Sequence, residues 1–253
     1  MLRSGNPALK DTTFLDLGSG RVVSRDGEAM TLNGTVNKTG LLLFLAILTA
    51  AFAWRSIDIG PDGVSANATI FLWGGMLGGL AFAIATIFKP TWAPITAPMY
   101  ALLEGLFLGT ISAIYDYKFH GIVLQAVMLT AGTLFALLFA YRSGLIKVTE
   151  NFRLGVVAAT GGVALIYLAT MVLGMFGINI PYIHQSGLIG IGFSLAVVVI
   201  ASLNLVLDFD FIETGVEQGA PKHMEWYAAF GLMVTLVWLY LEFLRLLSKL
   251  QSR

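Results

Sequence analysis

The sequence predicts an all-α polytopic membrane protein, a bundle of seven transmembrane helices. Of its 253 residues, 57% are hydrophobic and only 12% are charged, and the charged fraction of a soluble domain is about twice as large. Apolar runs long enough to cross a bilayer, which takes about 20 residues, recur seven times along the chain. Because backbone groups cannot remain unpaired in lipid, each of these runs is expected to be a helix.

A polar segment precedes the predicted helices. Residues 1–37 are rich in Gly, Ser, Asp and Arg and have no apolar core, so they are not a signal peptide and we expect a mostly disordered tail. Residues 38–253 form the predicted transmembrane domain, whose short connections leave no room for a second domain. The predicted helices cover residues 40–54, 66–88, 93–115, 121–141, 154–176, 186–207 and 226–247. The first run is short and is expected to extend into residues 36–39.

The distribution of Lys and Arg predicts which end of the chain faces the cytoplasm. With the N-terminus inside, ten basic residues fall in inside segments and five fall in outside segments. This excess favours a cytoplasmic N-terminus and an outside C-terminus. The basic C-terminal end opposes the assignment.

Composition argues against several function classes. Basic and acidic residues number 15 each, so net charge gives no indication of nucleic-acid binding. The absence of cysteine removes thiol chemistry. No lysine lies in the middle of a predicted span, where a retinal Schiff base would need one. The histidines fall in connections or at helix edges, without metal-ligand spacing: His120, His184 and His223. We therefore expect neither an enzyme nor a bound cofactor.

Glycines at four-residue spacing predict close helix packing. The pattern occurs at Gly74 and Gly78, at Gly75 and Gly79, and at Gly105 and Gly109. Such spacing lets two helix backbones approach each other. Packing within the chain is the favoured interpretation, and a dimerisation face is the alternative.

Carboxylates inside the predicted spans are the candidate functional residues, because an ionisable group is costly in lipid. Glu104 lies near the middle of the third span, and Glu242 lies past the middle of the seventh. Asp208 and Asp210 stand at the inner end of the sixth. Two residues apart on a helix, they point about 200° away from each other. At most one of them is therefore expected to face the bundle interior.

Each carboxylate also has a structural interpretation. Glu242 precedes Arg245 by three residues, a spacing that allows an ion pair within one helix. Asp210 can be interpreted as a charge at the membrane interface, and Asp208 as an ordinary charge at a helix end. Glu104 can be interpreted as a protonated carboxyl group that donates a hydrogen bond to a neighbour.

The functional interpretation uses the same carboxylates together. Groups that face one another in a low dielectric titrate as a coupled set, which makes a proton-sensitive latch. When deprotonated, their oxygens suit Ca²⁺, which takes several hard oxygen ligands. A ladder of Asp208, Glu104 and Glu242 would then form a cation path with a pH gate.

The sequence resembles the Bax inhibitor-1 family, which includes the transmembrane Bax-inhibitor-motif proteins, and within it a bacterial branch with an N-terminal extension. The resemblance extends from Asn6 to about Leu250. The segments that carry it are "NPAL", "GTVNKTG", "APITAPMYALLEGLFLGTIS", "NLVLDFDFIETG" and "LVWLYLEFLRLL".

This resemblance implies a seven-helix bundle with a central C-terminal helix, in a bacterial inner membrane. It also implies a pH-dependent Ca²⁺ leak governed by acids on the sixth and seventh helices, which match Asp208 and Glu242. These two acids would be the Ca²⁺ ligands. A basic residue at the inner end of the second helix, here Lys89, would act as a basic latch for Asp208. The alternative is a non-conducting regulator that binds a membrane AAA protease through its N-terminal tail.

Two departures from the family pattern leave the pairing of the acids open. Glu242 replaces the usual aspartate, and 34 positions separate it from Asp208, more than in compact relatives. Placed at these predicted depths, Asp208 and Glu242 are too distant for direct contact, and Glu104 and Glu242 would be the closer pair. The alternative is that the seventh helix starts inside the cytosol, which would bring Glu242 nearer to Asp208.

Overall fold

The computed structural model describes residues 29–60, 63–177 and 187–252. Within these residues, seven helices are long and apolar enough to cross a membrane, which confirms the predicted all-α polytopic fold. We number them α1 to α7: Leu32–Ser56, Ala66–Phe88, Ala93–Lys118, Ile122–Arg142, Glu150–Met175, Leu188–Glu217 and Met224–Gln251. A 3₁₀ turn, Pro90–Trp92, precedes α3. Two short antiparallel strands, β1 (Ile59–Gly60) and β2 (Gly63–Val64), lie between α1 and α2.

Two helix ends differ most from the predicted ones. Helix α1 begins at Leu32, where the side chain of Thr31 caps it by accepting from the backbone N–H of Gly34 at 3.0 Å. Residues 32–37, which the sequence assigned to the tail, are therefore helical. Of the rest of the predicted tail, residues 1–28 lie outside the described residues.

Helix α6 continues ten residues beyond the predicted end at Leu207 and reaches Glu217. Asp208 and Asp210 therefore lie inside the helix and not at its end. The apolar run ends at Leu207, but α6 continues because the buried side chains of Asp208 and Ile212 keep it packed in the protein. Gly219, with φ of 64°, turns the chain after α6, and a backbone hydrogen bond of 3.0 Å from Ala220 N to Gly215 O closes that turn. Such a left-handed conformation favours glycine.

The described chain divides into two compact units, which helices α6 and α7 both enter. One unit contains α4, α5, α6 up to residue 210, and α7 from residue 235. The other contains α1 to α3 together with residues 211–234. Helix α7 is the most buried of the seven helices, since 61% of its most apolar 18-residue stretch is buried.

Glycines bring the helices of the second unit into close contact. A Cβ added at Gly105 would overlap with the backbone oxygen of Ala46 on α1, and one added at Gly109 would lie 2.7 Å from Cα of Ala50. On α2, a Cβ at Gly75 would lie 2.7 Å from the backbone oxygen of Leu103 on α3. These glycines therefore serve packing within the chain, as the favoured interpretation of their spacing predicts.

Candidate functional site

Helix α7 presents a row of polar side chains at helical spacing. We call Thr235, Trp238, Glu242, Arg245 and Lys249 the α7 polar seam. Their spacing of alternately three and four residues places them along one face of the helix. All of them lie in the unit that contains α4, α5 and most of α6. Buried polar groups need partners, and the contacts of the seam show how each is satisfied.

Asp208 of α6 meets the seam at its N-terminal end. Its side chain, only 3% exposed, accepts a hydrogen bond from Thr235. The second carboxyl oxygen, Oδ2, is buried and has no hydrogen-bond partner among the residues that the structure describes. A buried oxygen without a partner is rare in proteins and requires an explanation. A proton or a cation would satisfy it.

Glu242 lies in the middle of the seam and is 1% exposed. Nη1 of Arg245 donates to both of its carboxylate oxygens, at 2.8 and 3.0 Å. Oε1 also accepts from the hydroxyl of Tyr167 on α5 at 3.0 Å and from Nε1 of Trp238 at 3.2 Å. Arg245 donates in turn to the Tyr167 hydroxyl. The ion pair that the three-residue spacing predicted is thus present, within a larger network that ties α5 to α7.

Lys249 forms the C-terminal end of the seam and is buried. Its ammonium group donates to Oγ of Ser194 at 2.9 Å and to the backbone oxygen of Gly190 at 3.0 Å, both on α6. The sequence had placed this lysine in an outside segment at the helix end. Burial among α6 groups makes it part of the site instead.

The contacts at the two ends of the seam define the register between α6 and α7. Asp208 and Ser194 are fourteen residues apart on α6, and their partners Thr235 and Lys249 are fourteen apart on α7. The helices are therefore antiparallel, and Asp208 lies at the level of Thr235. Glu242 stands seven residues further along the same face, about 10 Å at 1.5 Å per residue.

Asp208 and Glu242 therefore do not form a contacting pair. This agrees with the predicted separation and not with the alternative that a lowered seventh helix brings them together. Calcium–oxygen distances are about 2.3–2.6 Å, so the two carboxylates do not converge on one ion in this geometry. Among the described residues, no group of three or more His, Cys, Asp or Glu side chains could hold a metal ion.

Asp210 points away from Asp208, as their spacing predicts. Its carboxylate pairs with the guanidinium of Arg153, in the first turn of α5, at 2.5 Å. Both side chains are 20% exposed, so the pair lies at the edge of the protein. The structure thus separates the two aspartates by environment: Asp208 is buried with one oxygen unsatisfied, and Asp210 is partly exposed and ion-paired.

Glu104 and Lys89 belong to the other unit. Glu104 is buried in α3, and its Oε2 lies 3.0 Å from the position of a Cβ added at Gly79 of α2. The ammonium of Lys89 stands 4.4 Å from the ring centroid of Trp92, a cation–π contact. The pairing of Glu104 with Glu242 and the basic latch between Lys89 and Asp208 stay predictions.

Sequence reasoning missed Thr235, Trp238, Tyr167 and Lys249 as site residues. The signal on α7 was available, because its polar residues repeat at alternating steps of three and four through an apolar helix. For Tyr167 no such signal exists, since it is an ordinary aromatic residue within α5. Its role depends on which helices are neighbours.

These features define an integral membrane protein of seven spanning helices with buried charged groups among them. The sequence model of the Bax inhibitor 1 like family matches residues 6–252. The chain therefore belongs to this family, which is of the membrane channel or regulator type, and the resemblance noted in the sequence is confirmed. Searches of curated proteins and of solved structures found no match.

Proposed function

We propose that this protein is a pH-sensitive cation leak, with Ca²⁺ as the ion that its family suggests and with Asp208 as the protonatable group of the gate. The observation that carries the proposal is the buried Oδ2 of Asp208, which has no hydrogen-bond partner among the described residues. A carboxyl in that position gains from binding a proton or a cation. Alternate binding of the two is what a pH-dependent cation path requires.

Glu242 has a different part in this proposal. Its negative charge is balanced by Arg245 at 2.8 Å, and Tyr167 and Trp238 occupy Oε1. A carboxylate held by three donor groups is less available to a passing ion than one with an unsatisfied oxygen. We therefore assign ion and proton binding to Asp208, and to Glu242 the task of holding α5 against α7.

The orientation and compartment belong to the same proposal. The excess of Lys and Arg in the segments assigned to the inside supports a cytoplasmic N-terminus in a bacterial inner membrane. The Arg153–Asp210 pair would then stand at the cytoplasmic end of the site. Lys89 as a latch, Glu104 as a further acid on the path, and regulation of a membrane AAA protease through the tail also remain proposals.

Reconstituted protein provides the test. Purified protein is placed in liposomes that contain a Ca²⁺-sensitive dye, and Ca²⁺ entry is measured from mildly acidic to mildly alkaline pH. Wild-type flux is expected to change with pH, and Asp208→Asn, which mimics the protonated carboxyl, is expected to lose the pH dependence. Asp210→Asn is the matched control, because it removes an equal charge two residues away. Absence of flux in wild type, or an unchanged pH profile in Asp208→Asn, would refute the proposal.

A further inference from the structure

A fully buried glutamate lies at the start of α7, far along the helix from the polar seam. Glu225 is 0% exposed and stands in the first turn of the helix. The sequence did not single it out, because it follows a polar connection and therefore resembled an ordinary charge at a helix end. A carboxylate without solvent needs several donors, and these identify its role.

Both oxygens of Glu225 are bound by groups from two other segments. Oε1 accepts from the backbone N–H of Thr31 at 2.9 Å and from its hydroxyl at 2.8 Å. It also lies 3.1 Å from Nζ of Lys222. Oε2 pairs with Nζ of Lys38 on α1, and that ammonium is 5.5 Å from the ring centroid of Trp226.

Backbone contacts reinforce this attachment. The N–H of Met30 donates to the backbone oxygen of Ala220 at 2.6 Å, and Ala29 pairs with Pro221 in an antiparallel bridge. Residues 29–31 are thereby held both to the connection between α6 and α7 and to the first turn of α7. These contacts fix the start of the described chain beside this connection.

Gly34 is the residue that leaves room for the carboxylate. A Cβ added at Gly34 would overlap with Oε1, Oε2 and Cδ of Glu225. Because the added atom is fixed to the helix backbone, the carboxylate of Glu225 would have to move and give up its contacts with Thr31 and Lys38. Glycine is otherwise unfavourable inside a helix, by about 1 kcal/mol relative to alanine. Its presence here is explained by the contact with Glu225.

We propose that Glu225, Thr31, Lys38 and Lys222 form a clamp that anchors the N-terminal end of α1 to the first turn of α7, and that this clamp sets the position of α7. Helix α7 is continuous from Met224 to Gln251, so a movement of its first turn displaces Thr235, which binds Asp208. A shift of the clamp would therefore act on the gate through α7. That regulatory part rests on the proposed function.

Hydrogen exchange tests the clamp itself. The amides of Met30, Thr31 and Gly34 are bonded to Ala220 O, Glu225 Oε1 and Thr31 Oγ1. Glu225→Ala is expected to speed their exchange about tenfold or more, since it removes a charged acceptor. Glu225→Gln, which keeps one acceptor oxygen, should give a smaller increase. Glu217→Gln is the matched control on an exposed carboxylate. Unchanged exchange in Glu225→Ala, or an equal increase in Glu217→Gln, would overturn the clamp.

A double substitution separates the clamp from general loss of folding. Gly34→Ala is expected to lower the melting temperature of wild type because of the overlap with Glu225. In the Glu225→Ala background the same change should be neutral or should raise the melting temperature, because alanine favours helix. An equal decrease in both backgrounds would show that Gly34 does not make room for the carboxylate.

Flux measurements test the regulatory part. In liposomes, Glu225→Gln is expected to change Ca²⁺ entry at a given pH at least severalfold, whereas Glu217→Gln leaves it unchanged. Faster exchange at residues 30–34 with wild-type flux would overturn the regulatory part and keep the clamp as an anchor. Absence of flux in wild type would instead refute the proposed function, while the exchange data would still decide the clamp.

Discussion

Removing Arg245 provides a quantitative test of the network around Glu242. The carboxylate accepts four hydrogen bonds, two from Arg245, one from Tyr167 and one from Trp238. Arg245→Met removes two of the four together with the balancing charge, and leaves a carboxylate that is 1% exposed. Breaking a buried ion pair by removing one partner costs about 3–5 kcal/mol.

The loss of stability in Arg245→Met is expected to be smaller than about 3–5 kcal/mol. The side chain of Arg245 is 34% exposed, so solvent already weakens its attraction to Glu242. Tyr167 and Trp238 also continue to donate to the carboxylate. We expect a loss of about 2–3 kcal/mol, which for a chain of this size lowers the melting temperature by about 4–12 °C.

Thermal unfolding in detergent micelles measures this effect. The double variant Glu242→Gln/Arg245→Met should recover most of the loss, because it removes the charge that the single variant leaves buried. Arg142→Met is the matched control, since Arg142 is an exposed basic residue at the end of α4. A decrease in Arg245→Met no larger than in Arg142→Met would refute the reasoning. A double variant no more stable than Arg245→Met would also refute it.

Three further predictions concern stability. Thr235→Val should cost about 1–3 kcal/mol because it removes the hydrogen bond to the buried Asp208, whereas Thr235→Ser should stay near wild type. Gly105→Ala should cost about 1–3 kcal/mol because its new Cβ meets the α1 backbone, whereas Gly132→Ala, with open space around it, should be neutral or stabilising. Burial lowers the pKa of His223, so the unfolded chain binds more protons than the folded chain below about pH 6.5. The free energy of unfolding should therefore decrease as pH falls below that value. This decrease should be less steep in His223→Gln.

Thermal melts at fixed pH check the first two of these predictions, and melts across a pH series check the third. Equal losses in the valine and serine variants of Thr235 would mean that its hydroxyl is not the group that matters. Equal effects at Gly105 and Gly132 would contradict the close approach of α1 and α3. A pH profile that is the same with and without His223 would contradict the lowered pKa of its partly buried imidazole.

Much of the fold follows from local sequence. In lipid, an apolar run must pair its own backbone groups and therefore forms a helix. The number and approximate positions of the helices could thus be predicted without any knowledge of packing. The opposite directions of Asp208 and Asp210, and the pairing of Glu242 with Arg245, follow from 100° per residue on one helix. Each of these depends only on residues close together in the chain.

The extent of α6 could not be predicted in this way. Hydropathy falls after Leu207, and the prediction ended there, but the helix continues to Glu217. Polar residues after an apolar run are compatible with a helix that ends at the membrane surface. They are equally compatible with a helix that continues because it packs against other parts of the protein. The contact between Asp208 and Thr235 belongs to the second case, and it depends on a neighbouring helix.

By itself the sequence determined that this chain lies in a membrane, that it has seven spans, and which acids are costly enough there to suggest a function. Only the tertiary structure decided that Asp208 contacts Thr235, that Lys249 is buried against α6, and that Glu225 binds Lys38 and Thr31. The physical reason is that the register between two helices depends on side-chain packing summed along their whole length. Residues such as Lys38 and Glu225, 187 positions apart, meet only through that packing.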